Sequence, residues 1–224
     1  MTKKLSFDRP NRRDFLRTGI IGGAGLVVAQ FALPKELQAQ TMLWTGQIQA
    51  SSDDAYENGS TGLPNLTSTT IGPTAGGPRT CGFRFLDVTI PNSAAITAAT
   101  ITLYATSTIG EGTCSVYLQA ADNPSTFTTT KFDVSGRTKT THYGTFSFTY
   151  GSSGWTSSSD ISAAVQEVVD RQPVGGVGGW VSGNAMVVLT WMPPAFGEGA
   201  AYAWDYNNGG PPNLSAELSI SYTT

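Results

Sequence analysis

The stretch that decides the fold is Ala99-Thr100-Ile101-Thr102-Leu103-Tyr104-Ala105, in which small or apolar side chains alternate with hydroxyl-bearing ones. A period of two puts every second side chain on one face of an extended strand, so this stretch predicts a β-strand with one buried face. Segments that alternate in the same way are 82–86, 114–118, 145–150 and 214–222, and 43–50 is a further strand candidate. The nearly continuous apolar run 186–191 predicts a central strand covered on both faces.

One segment has the period of a helix. Its apolar positions are Ile161, Ala164, Val165, Val168 and Val169. Asp160 is a suitable N-cap and Pro173 follows the stripe, so we predict one short helix at about 160–171. Gly, Pro and Asn separate the strands, which favours antiparallel pairing in two packed sheets. The sequence therefore predicts an all-β protein, an antiparallel β-sandwich of the jelly-roll type.

The first forty residues have the order of a bacterial export signal. The paired Arg12 and Arg13 are followed by Phe15 and Leu16, and then by the uncharged stretch 18–33. This order resembles twin-arginine translocation signals, whose consensus has Ser or Thr where this chain has Asn. We predict a signal helix and signal peptide at 1–39, cleaved after residue 39, and a single β-sandwich domain at 41–224. The alternatives are an uncleaved membrane anchor and a basic helix of the mature fold.

Export determines where the domain acts and which partners it meets. We expect it in the periplasm, at the cell surface or outside the cell, with the twin-arginine translocase as a transient partner. Residues 41–224 carry six Lys and Arg against thirteen Asp and Glu, a net charge of −7. The six basic residues are scattered, whereas nucleic-acid binding needs clustered positive charge, so we exclude a nucleic-acid partner.

The only two cysteines, Cys81 and Cys114, stand at the starts of two predicted strands. An even number of cysteines in an exported protein favours a disulfide, and we predict one between these strands. The alternative is a pair of buried thiols, because cysteine is a common core residue.

Catalysis has little support in the sequence. His142 is the only histidine and lies in the polar loop 138–144, where we expect a solvated side chain. One histidine and two distant cysteines do not supply a zinc site, and the nucleophile motif G-x-S-x-G is absent. A carboxylate pair is assembled in space, so a glycan-active hydrolase or lyase remains an alternative. We predict a protein without catalytic residues or a cofactor.

The densest acidic cluster consists of Asp53, Asp54 and Glu57, placed in a predicted loop after the first strand. Carboxylate oxygens are the ligands that calcium prefers, so the cluster is a candidate structural calcium site. A solvated acidic turn is the alternative.

Aromatic residues are dense near the carboxyl end, among amide and carboxylate groups that could bind sugar hydroxyls. The candidate ligand-binding residues are Trp191, Tyr202, Trp204, Asp205, Tyr206 and Asn207. In an alternating strand Tyr202, Trp204 and Tyr206 share one face, which forms a stacking platform if it points outward and part of the core if it points inward. The other tryptophans, which we assign to the core or its rim, are Trp44, Trp155 and Trp180.

The order of these motifs resembles the DNRLRE type of exported jelly-roll domain. The matching segments are 83-FRF-85, 96–104, 160–166, 183–189 and 212–222. Some relatives of that type bind acidic or neutral polysaccharides and others occur in surface, adhesive or virion-like proteins. We therefore expect an exported, non-catalytic module that binds polysaccharide or another surface ligand. The alternative is a structural or adhesive subunit that forms homo-oligomers.

Overall fold

Strands dominate the structure, a computed structural model that describes residues 40–67, 70–71, 79–109, 112–149, 151, 153–191, 200–204 and 214–224. The strands are β1 Thr41–Gln47, β2 Asp54–Asn58, β3 Pro64–Asn65, β4 Thr70–Ile71, β5 Arg79–Phe85, β6 Ala95–Ile109, β7 Gly112–Leu118, β8 Gly144–Phe148, β9 Gly154–Ser157, β10 Met186–Trp191, β11 Ala200–Trp204 and β12 Glu217–Thr223. One α-helix, α1, spans Ser162–Val169, and a short 3-10 turn spans Ser51–Asp53. The predicted signal at 1–39, with Arg12, Arg13, Phe15 and Leu16, lies outside the described residues.

The strands form two antiparallel sheets of six strands each. Sheet A has the order β1-β12-β6-β11-β4, with β9 paired to the opposite edge of β6, and sheet B has the order β3-β2-β5-β10-β7-β8. Eight of these strands form pairs that are nested in sequence, so that each pair encloses the next: β1 with β12, β5 with β10, β6 with β9, and β7 with β8, which form the innermost hairpin. This nested pairing across two sheets is that of a jelly roll. The predicted fold class is confirmed.

The main core lies between the two sheets. Sheet A contributes Ile101, Leu103, Leu218 and Ile220, and sheet B contributes Phe83, Phe85, Leu118 and Val188. These are the inward positions of alternating strands, and each large apolar side chain buried here stabilises the fold by about 1.5–3 kcal/mol. The predicted inward faces of 82–86, 99–105 and 114–118 are therefore confirmed.

A long loop covers the outer face of sheet B. Phe127 and Val134 of this loop pack on the outward side chains of β2 and β10, which are Ala55, Val187 and Leu189. Arg137 holds the loop together by donating hydrogen bonds to the carbonyls of residues 125, 126 and 133 and by lying 4.2 Å from the centroid of the Phe127 ring. Strand β10 is thus covered on both faces, as its nearly continuous apolar run predicts.

The helix confirms the predicted apolar stripe and corrects its start. The five predicted apolar positions are all buried, but α1 begins at Ser162, with Ile161 rather than Asp160 at its N-cap position. Asp160 still accepts a hydrogen bond from the Ser162 amide through its side chain, and the same Oδ1 accepts one from the Ala99 amide of β6. The aspartate therefore ties the helix to sheet A instead of capping it. Among the described residues, no helix has the length and apolar character needed to cross a membrane.

Candidate functional site

The acidic cluster does not form a metal site. Asp53 is buried and pairs with Arg84 at 2.7 Å, while Glu57 is buried and accepts hydrogen bonds from the amides of Val134 and Ser135. Asp54 is also buried, and Asp54–Asn58 is strand β2 rather than the predicted loop. Asp54 and Glu57 are three positions apart on β2 and therefore point to opposite faces, so the three carboxylates cannot converge on one ion. Within the described residues, no group of three or more such side chains could hold a metal.

The predicted disulfide is not formed. Cys81 lies on β5 and Cys114 on β7, and both thiols are buried in the main core. Strand β10 runs between β5 and β7, so two strand spacings separate the cysteines by about 10 Å or more between Cα atoms, beyond the roughly 7 Å that a disulfide allows. Burial, with a smaller effect from the Cys81 thiol, raises the pKa of the Cys114 thiol to about 12. These thiols are core residues, the alternative reading of the sequence.

His142 anchors a loop to the helix. Its exposed side chain lies with Nδ1 3.1 Å from Oε2 of Glu167, which also accepts hydrogen bonds from the amides of Thr141 and His142. Burial tends to raise the pKa of Glu167, but these hydrogen bonds outweigh it and lower the pKa below its usual value. The contacts fix the loop before β8 against α1, which is a structural role.

The structure separates the aromatic candidates. Trp191 ends β10 in sheet B, two residues beyond the outward Leu189, and is 36 % exposed on the outer face of that sheet. Tyr202 and Trp204 lie on β11, which pairs with β6 and β4 in sheet A, and a register shift occurs between Tyr202 and Ala203. Asp205, Tyr206 and Asn207 lie outside the described residues. Trp191 therefore lies in a different sheet from Tyr202 and Trp204, and ligand binding by these candidate residues stays a prediction.

The outer face of sheet A is a different and open aromatic site. Tyr104 of β6 lies opposite Trp155 of β9, and their rings meet edge to face with centroids 5.4 Å apart. Trp155 is 46 % exposed, and Tyr104 is half-buried on the side of β6 opposite to the buried Leu103. One aromatic ring therefore supports the other while leaving apolar surface available to a ligand.

A row of polar side chains runs beside the aromatic pair. The strand register aligns Gln47, Glu217, Thr102 and Ser157 across β1, β12, β6 and β9. A second row, two residues along the strands and on the side away from the aromatic pair, consists of Thr45, Ser219 and Thr100. All seven side chains are exposed or half-buried, and the hydroxyls of Thr102 and Ser157 are 2.8 Å apart. Adjacent rows are separated by about 7 Å, so the polar rows and the aromatic pair fall within the length of a short oligosaccharide.

Strand β11 pairs with the edge of β6 opposite to β9, next to Tyr104. Ala105, the residue after Tyr104, pairs with Gly154 of β9 on one edge and with Ala203 of β11 on the other. The predicted aromatic strand, with Tyr202 and Trp204, therefore belongs to the same sheet as Tyr104 and Trp155. We call the described outward residues of β1, β6, β9 and β12 the sheet A face.

Trp155, which the sequence places in the core or at its rim, is a site residue that sequence patterns did not reveal. Strand β9 has only four residues and is flanked by Gly and Ser, so no alternation distinguishes it from a loop. The outward position of Tyr104 could be predicted from the sequence, because the alternation along β6 places it on the face opposite to Ile101 and Leu103. Trp180 is buried, with its indole nitrogen donating to the Ile90 carbonyl, and Trp44 is half-buried at the core, so the assignment holds for these two.

Comparison with known proteins does not assign a family. No protein-family model matches the chain, and no curated protein sequence matches it. The resemblance to DNRLRE domains therefore stays a prediction from the motifs.

Proposed function

We propose that this protein is a non-catalytic module that is exported and binds polysaccharide through the sheet A face. The observation that carries the proposal is the exposed Trp155, held edge to face by Tyr104 beside a row of hydroxyl and amide side chains. Sugar rings stack their C–H faces on aromatic rings, and their hydroxyls exchange hydrogen bonds with neutral polar groups. Both kinds of group lie on one open face here.

A binding role is favoured over a hydrolytic one by the carboxylates of this face. Glycoside hydrolysis commonly uses two carboxylates on either side of the scissile bond. Among the described residues of the sheet A face, Glu217 is the one carboxylate, and its neighbours in the row are Gln47 and Thr102. This arrangement can orient a sugar but does not provide the acid and base pair.

Substitution of Trp155 tests the proposal. We expect Trp155→Ala to weaken polysaccharide retention in affinity electrophoresis by about tenfold or more, because an exposed tryptophan that binds a ligand is typically worth about 2 kcal/mol or more. Trp191→Ala is the matched control, since it removes a similarly exposed tryptophan from the opposite side of the sandwich. Equal retention by the two folded variants would count against the sheet A face.

Self-assembly through β1 is the second candidate function. In the part of the chain that the structure describes, β1 pairs with β12 alone, and its sequence TMLWTGQ contains no charge and no proline. Uncharged edge strands can pair with a further strand, and natural proteins usually block this with Lys or Pro. If β1 forms such a contact, sedimentation velocity detects oligomers that increase with concentration, and Leu43→Lys suppresses them. A monomer at all concentrations excludes this function.

A further inference from the structure

We infer that the sheet A face selects an uncharged polysaccharide whose rings carry equatorial substituents, and that it discriminates against acidic polysaccharides. This inference rests on the proposed function and adds the ligand class to it. Two observations support it: the arginine and lysine side chains of the domain lie away from the sheet A face, and the groups on that face are aromatic or polar and almost all uncharged.

The strands of sheet A contain no basic residue. The six strands include one charged side chain in total, the carboxylate of Glu217. An acidic polysaccharide carries a carboxylate or sulfate on most of its rings, and its recognition depends on Lys and Arg, above all on bidentate Arg contacts. The sheet A face has no such group, and Glu217 repels a polyanion.

The three arginines whose side chains the structure describes are already paired elsewhere. The pairs are Arg84 with Asp53, Arg137 with Asp133, and Arg171 with Asp122. Arg84 and Arg137 also donate hydrogen bonds to backbone carbonyls of the loop over sheet B, and these bonds hold the loop in place. Because these guanidinium groups fix the structure of loops, they are not available to bind a ligand on the opposite side of the sandwich.

The two described lysines are also distant from the sheet A face. Lys139 donates to the Ser135 carbonyl, and burial lowers its pKa although the Glu57 carboxylate acts in the opposite direction. Lys131 lies 5.0 Å from the centroid of the Phe132 ring in the loop that covers sheet B. With a net charge of −7 over residues 41–224, long-range attraction of a polyanion is unfavourable as well.

What the face does offer is neutral. Trp155 provides an apolar surface, and Gln47, Thr102 and Ser157 provide uncharged donors and acceptors in the next row. A pyranose ring with equatorial substituents turns its axial C–H bonds toward an aromatic face and its hydroxyls toward the rim. A β-linked glucan or xylan chain has these features along its whole length.

The test compares four probes in affinity electrophoresis with the purified full-length chain: hydroxyethyl cellulose and xylan as neutral polymers, alginate and polygalacturonate as acidic ones. We expect retention by at least one neutral polymer, no change in it when the salt concentration is raised, and its loss by about tenfold in Trp155→Ala but not in Trp191→Ala.

Two other results have different meanings. Stronger retention by alginate or polygalacturonate, weakened by salt, overturns the ligand class while leaving a polysaccharide-binding function in place. A folded protein that is retained by none of the four polymers refutes the proposed function itself, and the inference with it.

Discussion

The contact between Phe127 and Gly82 allows a direct test of how the outer face of sheet B is covered. A Cβ placed on Gly82 would lie 2.3 Å from Cζ and 2.6 Å from Cε1 of Phe127, far inside van der Waals contact. Gly82 is thus the position on β5 that leaves room for the aromatic ring. We predict that substitutions at the two positions are strongly coupled.

The expected magnitudes follow from the packing. Phe127 is 2 % exposed, so Phe127→Ala should destabilise by about 3–5 kcal/mol through lost burial and the cavity left behind. Gly82→Ala alone should cost about 1–3 kcal/mol, because the ring must move or the strand must shift. In the Phe127→Ala background the added methyl group enters vacated space, so its cost should fall to about zero, which gives a coupling free energy of about 1–3 kcal/mol.

Guanidinium unfolding of the wild-type protein, both single variants and the double variant measures this coupling. Val177→Ala combined with Gly82→Ala serves as the control pair, because Val177 is exposed at the tip of a different loop and should be additive with Gly82. Additive effects of Gly82→Ala and Phe127→Ala would refute the reasoning, since they would mean that the ring does not cover Gly82.

Two other predictions concern titratable groups. Without reductant, Cys81 and Cys114 should both react with a thiol reagent only after unfolding, and an unfolded chain that still shows no thiol would contradict the structure. The hydrogen bonds that Asp122 accepts from Arg171 and from the Gly179 amide lower its pKa below its usual value in the folded state. The stability they contribute is therefore complete above the unfolded pKa and is lost as pH falls through the folded one, so Asp122→Asn should reduce stability at pH 7 but have less effect at pH 2. An equal loss at both values would exclude this linkage.

The parts of the fold that could be read from the sequence are those with a long alternating or helical period. Strands β5, β6, β7, β10 and β12 have one or two buried faces over six or more residues, so their patterns stand out from the surrounding loops. The short elements could not be read, because two to four residues do not establish a period. Their pairing with other strands, which for β4 and β9 are distant in sequence, decides that they are strands.

Strand β2 was misread for a different reason. Acidic residues favour exposed turns, so Asp53, Asp54 and Glu57 indicated a loop and a cation. In the structure their charges are satisfied by protein groups from remote segments, such as Arg84 for Asp53 and two amides near residue 134 for Glu57. A buried carboxylate is compatible with a strand once such partners exist, and nothing local in the sequence reveals them.

The cysteines were misread because sequence position does not give strand order. Cys81 and Cys114 lie near the starts of β5 and β7, but β10, which comes more than seventy residues later in the chain, lies between these two strands in sheet B. In this nested strand order the two cysteines are not on neighbouring strands, so the disulfide predicted together with the fold is not formed in the structure.

The two outer faces of the sandwich explain why the function should be sought on sheet A. A long loop, fixed by Arg137 and Phe127, covers the apolar outward positions of sheet B. The outward side chains of sheet B are therefore buried in a second core. The sheet A face carries mostly hydroxyl and amide groups, with Leu43 as an exposed apolar exception, and needs no cover for stability because the polar groups remain hydrated. On such a face a half-exposed tryptophan gains little from folding, so Trp155→Ala should lower the free energy of unfolding far less than Phe127→Ala. Guanidinium unfolding of the two variants compares these costs, and a loss as large as that of Phe127→Ala would show that Trp155 serves the core rather than a ligand.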